Sequence, residues 1–216
     1  MAHATAVSKR NRAKSIVLAP RRIFRLHVVG YSLGSLLASE IARRRQCASL
    51  TLICSPWYSN FSEAEKILYA NNFWIRHKLL AEFMCRIALC KQRWFWRHIL
   101  PALAHTRRSK QHVPTAVIED ALCHSFEGVR ETTRSVIVDH RPIATEITAK
   151  KILIVNGTDD KLCYPHGHYA SLQSIARNVR QEQVVRGILV PSADHLLLFS
   201  HTNYLAKVIF NNQFLQ

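Results

Sequence analysis

Residues 25–44, RLHVVGYSLGSLLASEIARR, place a Gly-x-Ser-x-Gly turn between two opposite hydrophobic patterns. The short apolar run 26–29 predicts a buried strand. Helical spacing then follows, which predicts a helix directly after the turn, at Leu33, Leu36, Leu37 and Ile41. The pentapeptide alone leaves Ser32 open as a nucleophile or an ordinary turn serine. The order strand, turn, helix is what constrains the fold.

Further strands predict that this unit belongs to a larger sheet. Residues 49–55, SLTLICS, form a second apolar run that Pro56 stops. Two buried strands joined by a helix make a βαβ unit with parallel strands. Later patterns predict strands over 150–157 and 184–190, and helices over 168–177 and 203–210. The sequence therefore predicts an α/β fold with a mostly parallel sheet.

The middle of the chain has a different pattern, because helical periodicity replaces strand-like runs between residues 57 and 142. We interpret this segment as a helical cap insertion over one end of the sheet. The predicted core then comprises 25–56 and 143–216, and 1–24 form a basic N-terminal segment.

An acid and a histidine follow two of the predicted strands. Serine needs a base to become a nucleophile, and that base needs a group to orient it. The loop after 150–157 carries Asp159 and Asp160, and the loop after 184–190 carries His195. Ligands of open α/β sheets gather at the carboxyl ends of the strands, so Ser32, one aspartate and His195 are expected to meet there. A solvated acid and a packed histidine are the ordinary alternatives.

The order Ser, Asp, His and the three local motifs resemble the α/β-hydrolase superfamily from about Arg25 onward. VVGYSLGS resembles its nucleophile elbow, LIVNGTDDKLCYP its acid loop and VPSADHLLLF its histidine loop. The acid-loop alignment selects Asp160, three residues after Gly157, over Asp159. Asp194 stands where the family usually has glycine.

This resemblance implies roles for the site residues. Ser32 would attack an acyl carbonyl, His195 would act as general base and Asp160 would orient His195. The backbone N–H of Leu33 would serve as an oxyanion donor, and Gly30 and Gly34 would permit close packing at the turn. The implied function is a serine hydrolase for a small ester or related acyl substrate, with no cofactor and no metal.

The resemblance also implies several strands and a His-Gly type oxyanion loop before the elbow. Residues 1–24 contain no counterpart, so we expect an N-terminally truncated core with an exposed sheet edge that a partner chain would cover. The alternative hypothesis is a catalytically impaired hydrolase-like protein that acts by binding a membrane surface or a partner chain.

Charge favours anionic partners, since 30 basic residues outnumber 14 acidic ones. No acid precedes Glu40, so the N-terminal segment is interpreted as an organelle transit peptide, a solvated tail or sequence outside the domain. In residues 90–100, CKQRWFWRHIL, arginines alternate with aromatics. The interpretation that we favour is a cap helix whose aromatics pack over the active site. Binding to an anionic membrane surface is the second interpretation, and binding to nucleic acid is the third.

The six cysteines form no C-x-x-C motif and suggest neither a zinc site nor a redox pair. They lie mostly in apolar stretches, which favours a reducing, cytoplasmic setting. His166 and His168 lack accompanying carboxylate or cysteine ligands at a familiar spacing, so no metal is expected there.

Overall fold

The computed structural model contains a four-stranded parallel sheet with strand order β1-β2-β3-β4. The strands are β1 (His27–Tyr31), β2 (Ser49–Ile53), β3 (Lys151–Gly157) and β4 (Val184–Val190). The structure describes residues 25–57, 62, 65–66, 70, 76–87, 89–103, 115–123, 125, 128, 131–132, 135, 147–164, 166–176 and 183–211. The predicted α/β fold with a mostly parallel sheet is confirmed.

Helices connect and flank these strands. They are α1 (Leu33–Arg44), α2 (Lys78–Arg86), α3 (Arg93–Leu103), α4 (Thr115–Cys123), α5 (His166–Ala176), α6 (Leu197–Ser200) and α7 (Thr202–Phe210). A 3₁₀ turn, Leu89–Lys91, lies between α2 and α3. Among the described residues, no helix is both long and apolar enough to cross a membrane.

The two central strands, β2 and β3, are buried on both faces, which explains their nearly continuous apolar sequences. Successive side chains of a strand point to opposite faces. Accordingly, Ile152 and Ile154 pack in the cluster that includes residues of α1. Leu153 and Val155 pack in the other cluster, with α6 and α7. The sheet therefore forms a buried central layer, and the loops at its carboxyl edge extend from this layer.

The described residues between β2 and β3 include a small helical unit with its own core. Ala81 of α2, Phe95 and Trp96 of α3 and Ile118 of α4 are buried together. Trp94 lies on α3 too but is exposed. The aromatics of 90–100 are thus divided between core and surface. The boundaries of the insertion and its packing over the active site stay predictions.

Strand β1 lies at one end of the described sheet, and Val29 within it is 52% exposed. The predicted partner chain at this edge stays a prediction, and residues 1–24 lie outside the described part of the chain.

Candidate active site

The parallel register places three loops at one edge of the sheet. Tyr31 pairs with Ile53, and Ile53 pairs with Val155, so the strands end at nearly the same level. Ser32 directly follows β1, Asp160 follows β3 within three residues and His195 follows β4 within five. The sheet therefore brings together three side chains that are 163 residues apart at most.

Ser32 occupies a strained turn between β1 and α1. Its φ is 50° and its ψ is −126°, a region that non-glycine residues rarely adopt. Its N–H donates to Ile53 O at 2.8 Å, and its carbonyl accepts both the N–H and the hydroxyl of Ser35, at 2.9 and 2.6 Å. Such strain costs about 1–3 kcal/mol and persists where the surroundings impose it. The turn raises the Ser32 side chain above the sheet edge.

The two glycines of the motif differ in their surroundings. A Cβ on Gly30 would lie 2.5 Å from the carbonyl oxygen of Gly34 and 2.7 Å from Cβ of Ala38, so α1 packs directly on the backbone of β1. A Cβ on Gly34 would meet no atom of the described residues within 4 Å. Close packing of the described residues therefore requires glycine at Gly30, and the same expectation for Gly34 stays a prediction.

Ser32, His195 and Asp160 form a continuous hydrogen-bonded chain. The Ser32 Oγ lies 2.8 Å from His195 Nε2, and His195 Nδ1 lies 3.0 Å from Asp160 Oδ2. An ionised Asp160 can only accept, so Nδ1 carries the proton and Nε2 accepts from the Ser32 hydroxyl. The imidazole is thus held in the tautomer that can take a proton from Ser32.

Asp160 is the aspartate of its loop that reaches His195. Asp160 is buried, with 1% of its surface exposed, whereas Asp159 is exposed. Its Oδ1 accepts the backbone N–H groups of Leu162 and Cys163 at 3.0 and 3.1 Å. Burial opposes its ionisation, but the adjacent His195 and these donors outweigh burial and hold the pKa of Asp160 below its usual value.

His195 is partly exposed and is poised by opposing effects. Burial lowers the pKa of its imidazole, while the charge and hydrogen bond of Asp160 raise it, with a further contribution from Asp194. The net result is a raised pKa. Asp194 itself is buried and caps the loop by accepting the N–H of Leu196 at 3.0 Å.

Tyr31 is a site residue that sequence reasoning missed. Its hydroxyl donates to the carbonyl oxygen of His195 at 2.6 Å, and its ring packs 5.7 Å from the imidazole between centroids. Burial raises the pKa of Tyr31, so the phenol stays a donor. The available signal was its position immediately before Ser32 at the end of a strand.

Cys54 is the second such residue. It directly follows β2, has a φ of 47° and is fully buried. Its Sγ lies within 4.8 Å of a carboxylate oxygen of Asp160, and its carbonyl accepts the thiol of Cys163 at 3.0 Å. The strand-end rule that selected Ser32 and His195 applies equally to Cys54.

One group of three potential metal ligands occurs in the described part of the chain. Cys54 Sγ, a carboxylate oxygen of Asp160 and a ring nitrogen of His195 lie within 4.8 Å of one another. His168, by contrast, is buried beside Asn156, with its Nδ1 3.1 Å from Oδ1 of that residue. The expectation of no cofactor stays a prediction.

Comparison of sequences assigns the chain to no family, since no protein-family model and no curated protein matches it. Comparison of structures does match. The enol-lactonase of Burkholderia xenovorans LB400 superposes with a TM-score of 0.56 at 19% identity, over 86% of this chain and 64% of that one. The chain has the α/β-hydrolase fold.

Two further solved structures support the α/β-hydrolase fold. A thermophilic esterase from Thermogutta terrifontis gives a TM-score of 0.52 at 19% identity, covering 86% of this chain and 63% of that one. The hydrolase olei00960 from Oleispira antarctica gives 0.51 at 17% identity, covering 87% and 66%. The chain spans less than two thirds of the length of these three proteins.

Proposed function

We propose that this chain is a serine hydrolase that cleaves a small ester or related acyl substrate with Ser32, His195 and Asp160. The observation that carries the proposal is the pair of hydrogen bonds at His195, 2.8 Å to Ser32 and 3.0 Å to Asp160. These three residues are distant in sequence, but their side chains are arranged as a nucleophile, a base and an acid that orients the base. This is the arrangement by which serine is activated in proteins.

The proposed reaction has two halves. In the first, Ser32 Oγ bonds to the acyl carbon while its proton passes to His195 Nε2. The tetrahedral intermediate then collapses, and the imidazolium returns that proton to the departing alcohol. In the second half, a water molecule attacks the acyl-enzyme with His195 again as base, which releases the acid and restores Ser32. Asp160 stays ionised throughout and stabilises the imidazolium.

The proposed oxyanion donor is the backbone N–H of Leu33. Leu33 is the first residue of α1, and the first N–H groups of a helix have no partner within it. The helix also presents its positive dipole end to charge that develops beside Ser32. This donor role is supported by position.

A fluorophosphonate probe tests the proposal, because it reacts with activated serines. The wild-type chain should be labelled and Ser32→Ala should not. The matched control is Ser39→Ala, which removes a buried serine on the same helix and should leave labelling intact. Equal labelling of wild type and Ser32→Ala would contradict the proposal. Hydrolysis of short-chain p-nitrophenyl esters then tests turnover.

A second function, docking on an anionic membrane surface, is favoured by the outer face of α2. Leu79 is 81% exposed and Phe83 is 55% exposed, and they lie one helical turn apart. Lys78 and Arg86 lie on the same helix and are exposed. Long basic side chains beside apolar ones suit an interface in which cations meet headgroups while the apolar groups enter the acyl region.

Sedimentation with vesicles of phosphatidylcholine and phosphatidylglycerol tests this second function. Phe83→Glu should weaken binding strongly, and Phe210→Glu provides a control with the same charge change at a 69% exposed phenylalanine on α7. Equal binding by both variants, or binding that high salt leaves unchanged, would contradict docking through α2 and its charges.

A further inference from the structure

Two thiols surround the carboxylate of Asp160, and the proposed hydrolase reaction uses neither. Cys54 and Cys163 are both fully buried, and the Sγ of Cys163 lies 3.7 Å from His195 Nδ1. The Cys54 Sγ lies within 4.8 Å of a carboxylate oxygen of Asp160. Thiolate, imidazole and carboxylate are the side chains that bind Zn²⁺ in proteins. We propose that Cys54, Asp160 and His195 form a binding site for a thiophilic divalent cation such as Zn²⁺, whose occupation inhibits the proposed hydrolase.

The spacing of the ligand atoms fits such an ion. Bonds of about 2.0–2.3 Å in a tetrahedral site separate neighbouring ligand atoms by about 3.3–3.8 Å. His195 Nδ1 lies 3.0 Å from Asp160 Oδ2. The ligand atoms of all three residues lie within 4.8 Å of one another. Adjustments of less than about 1.5 Å would bring all three atoms around one ion.

Proton balance explains the inhibition. Binding takes the proton from the Cys54 thiol and releases it to solvent. Ligation through Nδ1 of His195 moves the ring proton to Nε2. That nitrogen now donates to the Ser32 hydroxyl and cannot accept its proton, so the nucleophile loses its base. No electron is transferred, and removal of the ion restores the original tautomer.

The cation is an inhibitor here and not a cofactor. A catalytic zinc keeps an open position at which substrate or water binds, but this cluster lies behind the imidazole, with Cys54 and Asp160 buried. Metal binding itself is independent of the proposed function, whereas the inhibition rests on it.

Titration of the full chain with Co²⁺ is the direct test, because Co²⁺ occupies zinc sites and a cobalt–thiolate bond absorbs in the near ultraviolet. Wild type should develop this band. Cys54→Ser should lose it and bind Co²⁺ roughly 10–100-fold more weakly or worse, since loss of even an outer partner of a metal ligand has that effect. Cys123→Ser, which removes an exposed thiol on α4, should retain the band.

A second variant guards against misfolding at this position. Cys54→Gly also lacks the thiol and accommodates the φ of 47° without strain. Both variants should unfold cooperatively, as checked by circular dichroism, and both should lack the band. A band that persists in either folded variant, or its absence in wild type, would overturn the site.

Inhibition is measured separately, as Zn²⁺-dependent loss of fluorophosphonate labelling relative to each variant's own metal-free rate. Wild type should be inhibited and recover with a chelator, while Cys54→Ser should resist. Labelling unaffected by Zn²⁺ in a protein that shows the cobalt band would overturn the inhibitory role. A cobalt band without any labelling of Ser32 would leave the metal site standing and refute the proposed function.

Discussion

The hydroxyl of Tyr31 donates a 2.6 Å hydrogen bond to the backbone carbonyl oxygen of His195. Tyr31 is the last residue of β1 and immediately precedes Ser32. The bond therefore ties the loop that carries the proposed base to the strand that carries the proposed nucleophile. It fixes the position of the imidazole through its backbone, independently of the contact with Asp160.

Replacement Tyr31→Phe should slow fluorophosphonate labelling of Ser32 severalfold. The ring and its packing remain, but the carbonyl of His195 loses its donor at a cost of about 1–3 kcal/mol. Labelling rates measure the effect. Tyr204→Phe is the control, because Tyr204 is exposed on α7. Equal rates for the two variants would show that the hydrogen bond does not position His195.

Asp160→Asn should reduce the labelling rate by about 10⁴, because an amide can donate to Nδ1 and favours the tautomer that cannot act as base. Asp159→Asn should retain the rate, since Asp159 is exposed and does not contact His195 in the structure. A comparable loss in both variants would count against the assignment of Asp160 as the orienting acid.

The labelling rate should fall as pH decreases through a value above 6.5, because the pKa of His195 is raised from that ordinary value. Only the neutral imidazole accepts the Ser32 proton, so the rate is low below this pKa and reaches a plateau above it. Removing the charge in Asp160→Asn should move the residual acid limb to lower pH. A rate independent of pH between 5 and 9 would exclude His195 as the base.

Gly30→Ala should destabilise the fold by at least about 1–3 kcal/mol, the usual cost of overpacking, because its Cβ would lie 2.5 Å from a backbone oxygen. Gly34→Ala should be neutral or stabilising by about 0.5–1 kcal/mol, since it replaces glycine within a helix and its Cβ would meet no described atom within 4 Å. Urea unfolding of the two variants measures the difference. A larger loss for Gly34→Ala would show that residues outside the described part pack there.

The sheet could be predicted closely where hydrophobic pattern and strand end coincide. The prediction of 184–190 matches β4 residue for residue, and 150–157 exceeds β3 by one. The predicted strand 26–29 starts one residue before β1 and ends two residues before its end, because Gly30 and Tyr31 break the apolar run although both lie in the strand. The four-residue helix α6 was missed, since one turn is too short to show a helical period.

The candidate site, like the sheet, could be predicted from the sequence only in part. The strand-end positions of Ser32 and His195 followed from the pattern, and the choice of Asp160 required a resemblance. The roles of Tyr31 and Cys54 could not be predicted, because each depends on how far a side chain reaches across two loops. Sequence spacing indicates which loop a residue belongs to, but it does not indicate which residues of another loop its side chain contacts.

The backbone angle at Ser32 also restricts which hydroxyl or thiol side chains this position can accept. A φ of 50° is strongly unfavourable for a β-branched residue, whose second Cβ substituent crowds the backbone. Threonine is therefore strongly disfavoured there by conformation although its hydroxyl is chemically equivalent. Cysteine has the same branching as serine and fits the turn, so Ser32→Cys would place a thiol at this position without the conformational conflict that threonine would create.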